Sequence, residues 1–209
     1  VGGSTISDQH PVEFYFDFIS PFGFLASLRV DDLAAKYGRE TTWTSMLLGV
    51  SVMKVMGLKA IPKTPLKGPY MRLDAQRYCR RHGIRFGRQL TDPPANPLAA
   101  GRTFHWLTEH DPMRAKPVAK AILAAYWLEG RAIGELDTLL DLAAGQGVDR
   151  AALAEAHASG AASALLNAGV EASLAKGVFG SPYFIVDGEP FFGLEKMELL
   201  EEWLREGGW

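Results

Sequence analysis

The residues best placed for chemistry lie where an apolar run meets a proline. Val12-Glu13-Phe14-Tyr15-Phe16-Asp17-Phe18 leads into Ser20-Pro21. Serine accepts from the orphan amides of a helix start and proline fits the first helical position, so Ser20 is predicted to cap a helix beginning at Pro21. Such a terminus carries unpaired N–H groups and roughly half a positive charge, which stabilises an anion such as a thiolate. Dithiol oxidoreductases keep their attacking cysteine at a turn of this kind. Here that position is Ser20, and the residue three further on is Gly23. Ser20 is then either a plain helix cap or a donor to a sulfur that the chain does not carry.

Two other turns can hold a ligand. Gly180-Ser181-Pro182-Tyr183 precedes a strand-like run. Proline there removes a ladder donor and suits a turn or edge, and a cis bond would free the Ser181 backbone to pair with an extended peptide. Phe192-Gly193-Leu194-Glu195-Lys196 opens the last helix. Its amides suit a carboxylate and Glu195 an ammonium, or the acidic turn only complements the helix dipole. The arginines Arg72, Arg77, Arg80, Arg81, Arg85 and Arg88 fall mostly opposite the Met71/Ala75/Tyr78 face and read as a solvated surface. The 5 histidines match no metal-ligand spacing. Cys79, the single cysteine, sits on an apolar helix face as inert core. It excludes an intrachain disulfide and any Cys-x-x-Cys motif.

These turns need elements to position them. The first strand is followed by Phe22, Leu25, Ala26, Leu33 and Tyr37 at helical spacing up to Gly38, which predicts one helix. A second strand follows at Thr41-Thr42-Trp43-Thr44-Ser45-Met46-Leu47, completing a βαβ unit. Residues 52–176 are alanine-rich and helical in pattern, with segments at about 98–109, 113–129, 135–144, 149–158 and 161–176. Strand character returns at Tyr183-Phe184-Ile185-Val186, turns at Asp187-Gly188, and continues at Pro190-Phe191-Phe192 before a helix from Leu194 to Glu206. A two-stranded piece is not stable alone, so the two ends must share a sheet. The expectation is an α/β protein: a discontinuous thioredoxin-like domain, residues 11–50 and 177–209, carrying an all-helical insertion at 51–176.

Composition narrows the class. A chain of 209 residues, 47% hydrophobic and 22% charged, can build its core without metals or disulfides. A net charge of −2 gives no general attraction to nucleic acid or anionic membrane. No apolar run is long enough for a membrane span. Val1-Gly2-Gly3-Ser4-Thr5 has neither a basic n-region nor an apolar h-region, so no signal peptide is expected and the protein reads as cytoplasmic.

Phe16-Asp17-Phe18-Ile19-Ser20-Pro21-Phe22 with Leu25-Ala26 resembles the 2-hydroxychromene-2-carboxylate isomerases and the related kappa-class glutathione transferases. Gly57 to Tyr70 with Pro65-x-Lys67, Asn96-Pro97-Leu98, and Gly177-Val178-Phe179-Gly180-Ser181-Pro182 through Phe192-Gly193 to Met197-Glu198-Leu199-Leu200-Glu201 agree in order and spacing. The resemblance implies a DsbA-like helical insertion, a homodimer, and bound glutathione. By that likeness Ser20 hydrogen-bonds the glutathione sulfur. Ser181, before a cis Pro182, pairs with the cysteinyl backbone, and Leu194-Glu195 hold the γ-glutamyl end. Lys54, Thr64 and Asn96 fall where relatives contact glutathione or a small aromatic substrate.

The chain departs from the family at Met56-Gly57-Leu58, where Thr-Gly-Asn is usual, and at Leu194-Glu195-Lys196, where a polar residue, Asp and Arg are usual. The leading expectation is a glutathione-dependent cis–trans isomerase that makes trans-o-hydroxybenzylidenepyruvate. Its rival is a kappa-like transferase that consumes glutathione, and a third reading is a non-catalytic thioredoxin-fold binding protein. A dithiol oxidoreductase would need a cysteine at position 20.

Overall fold

The computed structural model describes residues 10–209, so the opening Val1–Thr5, read above as no signal peptide, lies outside the described residues. The first strand, β1 (Val12–Phe16), pairs in parallel with β2 (Thr41–Ser45), Val12 opposite Thr41 and Phe16 opposite Ser45. On its other side β1 runs antiparallel to β3 (Tyr183–Val186), which pairs with β4 (Glu189–Phe192). The sheet order is β2-β1-β3-β4, so the two ends of the chain do share one sheet. Asp187 and Gly188 link β3 to β4 with φ of 53° and 86°; positive φ at both central residues is the type I′ geometry that matches strand twist.

The sheet is stabilised by its alternation. Val12, Phe14 and Phe16 point to the helical side and are fully buried. Phe14 meets Trp43 edge-on at 5.0 Å, and Phe16 meets Phe18 at 5.0 Å and Phe104 at 5.7 Å. Glu13 and Tyr15 face the opposite side, where Tyr15 packs with Met46, Val178 and Tyr183. Both faces of β1 are therefore covered, as a partly parallel sheet requires.

The helix expected from Pro21 to Gly38 is broken in two, α1 (Pro21–Ser27) and α2 (Val30–Lys36). Ser27 turns its hydroxyl back onto the Phe24 carbonyl at 2.6 Å, and Arg29 leaves helical geometry at φ −127°. A serine competing for a helical carbonyl in this way is a common reason for a helix to stop. Gly38, at φ 69°, ends the second piece. The region from 52 onward is also less regular than its composition suggests. A π-helical turn at Gly49–Val55 and a 3₁₀ turn at Ile61–Lys63 come before α3 (Lys67–His82), because Gly57, Pro62 and Pro65 interrupt the ladder.

The remaining insertion helices match the periodicity to within a residue or two: α4 (Leu98–His110), α5 (Pro112–Trp127), α6 (Leu136–Gly145), α7 (Arg150–Ala158) and α8 (Ala161–Ala175). Asp149 caps α7 by accepting from Ala151 and Ala152. The last segment opens with a 3₁₀ turn, Leu194–Lys196, and continues as α9 (Met197–Glu206). One buried cluster joins Phe14, Phe16 and Phe184 of the sheet to Leu107, Ile122 and Trp127 of the insertion.

Trp127 ties that cluster to the turn after β1. It is 2% exposed, its indole N–H donates to the Phe18 carbonyl at 3.0 Å, and its ring lies 5.1 Å from Phe86. Replacing Trp127 by Phe keeps most of the apolar body but strands that buried carbonyl, which costs about 1–3 kcal/mol. Urea unfolding of Trp127→Phe should show a lower midpoint with an unchanged slope.

Candidate active site at the turn after β1

Ser20 is the N-cap of α1, as its sequence context implies. It has extended geometry, φ −89° and ψ 117°, and its Oγ accepts from the Gly23 amide at 3.1 Å. Its carbonyl accepts from Phe24 and its own amide donates to the Asp17 carbonyl, both at 3.0 Å. The hydroxyl proton is donated to the Ser181 carbonyl at 3.1 Å, and the residue is only 4% exposed. Pro21 has no N–H and Ser20 takes that of Gly23. Phe22 therefore keeps the one first-turn amide without a partner among the described residues. With α1 reduced to two turns, polarity at this point comes chiefly from side-chain hydroxyls.

The facing loop supplies a second hydroxyl. The Ser181–Pro182 peptide bond is cis. Ser181 Oγ accepts from the Asp17 amide at 2.9 Å. A side chain at position 23 would collide with that oxygen, and its Cβ would also come within 3.4 Å of Ser20 Oγ. Gly23 is thus needed for the close approach of Ser181 Oγ, which fills the place a side chain would take. Pro182 adjoins the third segment, since its carbonyl accepts from Gly193 at 3.1 Å. Gly193 sits at φ 110°, and the Glu195 carboxylate folds to within 2.7 Å of where a Cβ would stand, so the position admits only glycine. Leu194 is buried, Glu195 exposed, and this turn packs on α1.

Ser20, Ser181, Pro182, Leu194 and Glu195 accordingly occupy adjoining turns. Lys54, Thr64 and Asn96 form no bond to them. Lys54 is exposed at the end of the π-helical turn. Thr64 donates to Ala60 at 3.2 Å, and Asn96 accepts from Leu98 at 3.0 Å, a local turn before α4. Near Thr64, an apolar groove of about 410 Å³ runs between Phe22 of α1 and Ile61, Leu66, Tyr70 and Met71, with Lys67 at its side. Leu66 reaches it from a left-handed backbone, φ 65°, and is 87% exposed. A branched side chain in that region is costly, which marks the position as constrained by its surroundings.

Asp17 is a feature that sequence reasoning passed over. It is fully buried, its Oδ1 accepting from Ile19 at 3.1 Å and its Oδ2 from Leu48 at 2.8 Å. Burial pushes its carboxyl up to about 6, against the pull of those two amides. The signal was an ionisable residue within an otherwise apolar strand end. Through Leu48 it fixes the start of the π-helical turn, which is also tied by Ser51 Oγ donating to Phe179 at 3.2 Å. Arg88 departs from the expected solvated row: it lies 4.2 Å over the Tyr126 ring and donates to the Pro93 carbonyl. Cys79 is buried, with its thiol pushed up by desolvation. No group of three His, Cys, Asp or Glu side chains able to hold a metal occurs among the described residues, nor does a helix long and apolar enough to cross a membrane.

A strand–turn–helix with a polar side chain in the turn, a cis-proline loop facing it, and a helical block inserted between the two define the thioredoxin-like class. The profile of the DSBA-like thioredoxin domain matches residues 11–205, and the chain belongs to that family. Within it, the chain is similar to the 2-hydroxychromene-2-carboxylate isomerase of Pseudomonas putida, 27% identical over 192 residues that span 91% of this chain and 92% of the relative. The protein of the same name from Sphingobium xenophagum is 27% identical over 202 residues, 92% and 97% of the two chains. A solved 2-hydroxychromene-2-carboxylate isomerase structure superposes with a TM-score of 0.79 at 27% identity, covering 93% and 94%. The cytosolic disulfide reductase DsbM of Pseudomonas aeruginosa shares the fold, with a TM-score of 0.63 at 19% identity over 94% and 99%.

Two outcomes test this geometry. Gly23→Ala should destabilise the protein by about 1–3 kcal/mol, and by clearly less in a Ser181→Ala background, because the clash needs both side chains. A thermodynamic cycle from chemical denaturation measures that coupling. For Asp17, the folded value near 6 lies above the ordinary 3.8. Between those values the folded state binds more protons, so this group lowers stability as pH rises through the window. Asp17→Asn removes that dependence. From pH 4 to 7, wild type should lose about 2 kcal/mol relative to the variant in urea titrations.

Proposed function

We propose that the chain is a glutathione-dependent cis–trans isomerase, converting 2-hydroxychromene-2-carboxylate or a related aromatic 2-oxo acid to trans-o-hydroxybenzylidenepyruvate. The observation that carries this reading is the convergence of the Ser20 and Ser181 side chains where a dithiol relative has its thiols, in a chain whose single cysteine is buried elsewhere. A hydroxyl donor at this turn, in a chain with no thiol there, suits a thiolate brought by a cofactor. The names of the relatives point to the same reaction class.

Ser20 and Ser181 would hold the cysteinyl part of glutathione, Pro182 would frame it, and Leu194 and Glu195 would take the γ-glutamyl end. Lys54, Thr64 and Asn96 remain the proposed outer contacts. When bound, glutathione would supply a thiolate that adds reversibly to the conjugated substrate, allows the former double bond to rotate, and leaves unchanged. For its part, Ser20 must turn its proton from the Ser181 carbonyl toward the sulfur, and an incoming amide on that carbonyl releases it. The Phe22–Tyr70 groove offers an apolar seat to the aromatic ring, and Lys67 offers an ammonium to the 2-oxo acid carboxylate. A glutathione-dependent enzyme of this kind fits a reducing cytoplasm, and the family resemblance adds a homodimer.

The test is turnover of 2-hydroxychromene-2-carboxylate with glutathione below the substrate concentration. Many turnovers with glutathione recovered intact, and none without it, are expected. Ser20→Ala should remain folded and lose about tenfold or more in glutathione-dependent kcat, the scale of one hydrogen bond to a charged group. Glutathione consumed in step with product would make the protein a transferase, and full activity without glutathione would overturn the reading.

A further inference from the structure

We propose that the outer edge of β2 is a second binding site, which takes a short, uncharged, extended peptide segment pairing with the backbone of Trp43. The site shares no residue with the turns around Ser20 and does not depend on the isomerase reading.

The phase of the sheet ladder turns this backbone outward. β2 is an edge strand, and its bonds to β1 include Val12 N–H on the Glu40 carbonyl at 2.9 Å and Met46 N–H on the Phe16 carbonyl at 2.7 Å. In a parallel ladder alternate residues bond to the same neighbour, so Thr41, Trp43 and Ser45 direct their N–H and C=O groups away from β1. Two of those carbonyls are capped. Lys116 donates to Thr41 at 3.3 Å, and His105 Nε2 donates to Ser45 at 2.8 Å. Trp43 stands between them, and its N–H and C=O have no protein partner among the described residues. Yet Trp43 is only 6% exposed. Backbone groups so far withdrawn from the surface are nearly always paired.

The space beside that edge fits one class of ligand. A cleft of about 430 Å³ runs between Thr42, Trp43 and Thr44 on the strand and the helices α4 and α8, reaching Ala172 and Lys176. Both helices pack on β2. From Thr41 to Ser45 the edge offers about 13 Å of extended chain. A segment of about three residues spans it, whereas the sheet of a second copy would have to pass between the helices. The charges in the cleft cancel. Lys176 donates to Glu13 at 2.6 Å, Tyr15 donates to the same carboxylate, and burial pushes the His105 ring toward its neutral form. An ion therefore gains little here, while an amide finds a donor and an acceptor on Trp43. In an antiparallel pair one ligand residue exchanges both bonds with the residue opposite, so a single residue facing Trp43 satisfies both groups.

The probe is acetyl-Thr-Val-Thr-methylamide, which is uncharged and β-branched throughout, titrated onto the full isotopically labelled chain and followed by amide NMR. The Trp43 and Ser45 signals should shift saturably, and hydrogen exchange at Trp43 should slow about tenfold at saturation. N-methylation of the probe's valine removes the donor that faces Trp43 and should weaken binding about tenfold. Ala172→Trp, at an exposed position of the cleft, fills the space and should abolish binding in a chain that stays folded. No shift at Trp43 up to the solubility limit of the probe overturns the proposal, as does equal binding of the N-methylated probe or wild-type binding by folded Ala172→Trp. Protection of the Trp43 amide without any probe also overturns it. Protection that grows with protein concentration would give the edge to a second copy, and protection lost on removing residues 1–9 would give it to the chain's own start.

Discussion

The candidate site depends on a short polar tie between parts of the chain far apart in sequence. Ser20 bonds to Ser181 across 161 residues, and Asp17 bonds to the same residue across 164. The whole helical insertion lies inside that loop. Closing a loop so long has a large entropic cost, though one that grows only slowly with length. Two hydrogen bonds cannot offset it. The closure comes from the sheet, where β1 and β3 are neighbours and Phe14 opposes Phe184 in a fully buried layer. Apolar pairing brings the two turns together, and the polar tie then sets their register.

Burial changes what those polar groups can do. Ser20 and Asp17 are almost wholly removed from water, beside Phe16, Phe18 and Trp127. In such surroundings a made hydrogen bond is stronger and an unmade one more expensive. Asp17 is tolerated because two amides converge on it, and Ser20 because it gives and accepts at once. Trp127 extends the same logic into the insertion. Its indole satisfies the carbonyl of Phe18, so the helical block helps to fix the very turn that it surrounds. The insertion is thus part of the scaffold of the site as well as a wall for the groove.

Much of this was legible in the sequence. Alternation in residues 12–18, Ser before Pro, and Asp187-Gly188 gave β1, the cap at Ser20 and the hairpin, because each rests on local stereochemistry. The insertion helices followed from apolar spacing. The split between α1 and α2 was not visible, since it turns on one rotamer of Ser27 that folds back on its own helix. Arg88 looked like a surface charge because its aromatic partners, Tyr126 and Trp127, lie far along the chain. Asp17 was masked by the apolar run around it: only the fold reveals that Ile19 and Leu48 present amides to both of its oxygens. Of the candidate site, the segments at 20, 181–182 and 194–195 are drawn to neighbouring turns, and the bonds that link them belong to tertiary structure alone.

Gly23 carries an evolutionary consequence. In a dithiol relative the position three residues after the nucleophile would hold the resolving cysteine, but here any side chain would strike Ser181 Oγ. Recovering redox chemistry on this backbone therefore takes more than restoring thiols at 20 and 23. The loop before β3 must first yield, and its serine is held by the Asp17 amide. A side chain at position 23 therefore costs stability for as long as that serine stays in place, so the arrangement works against a thiol pair at this turn.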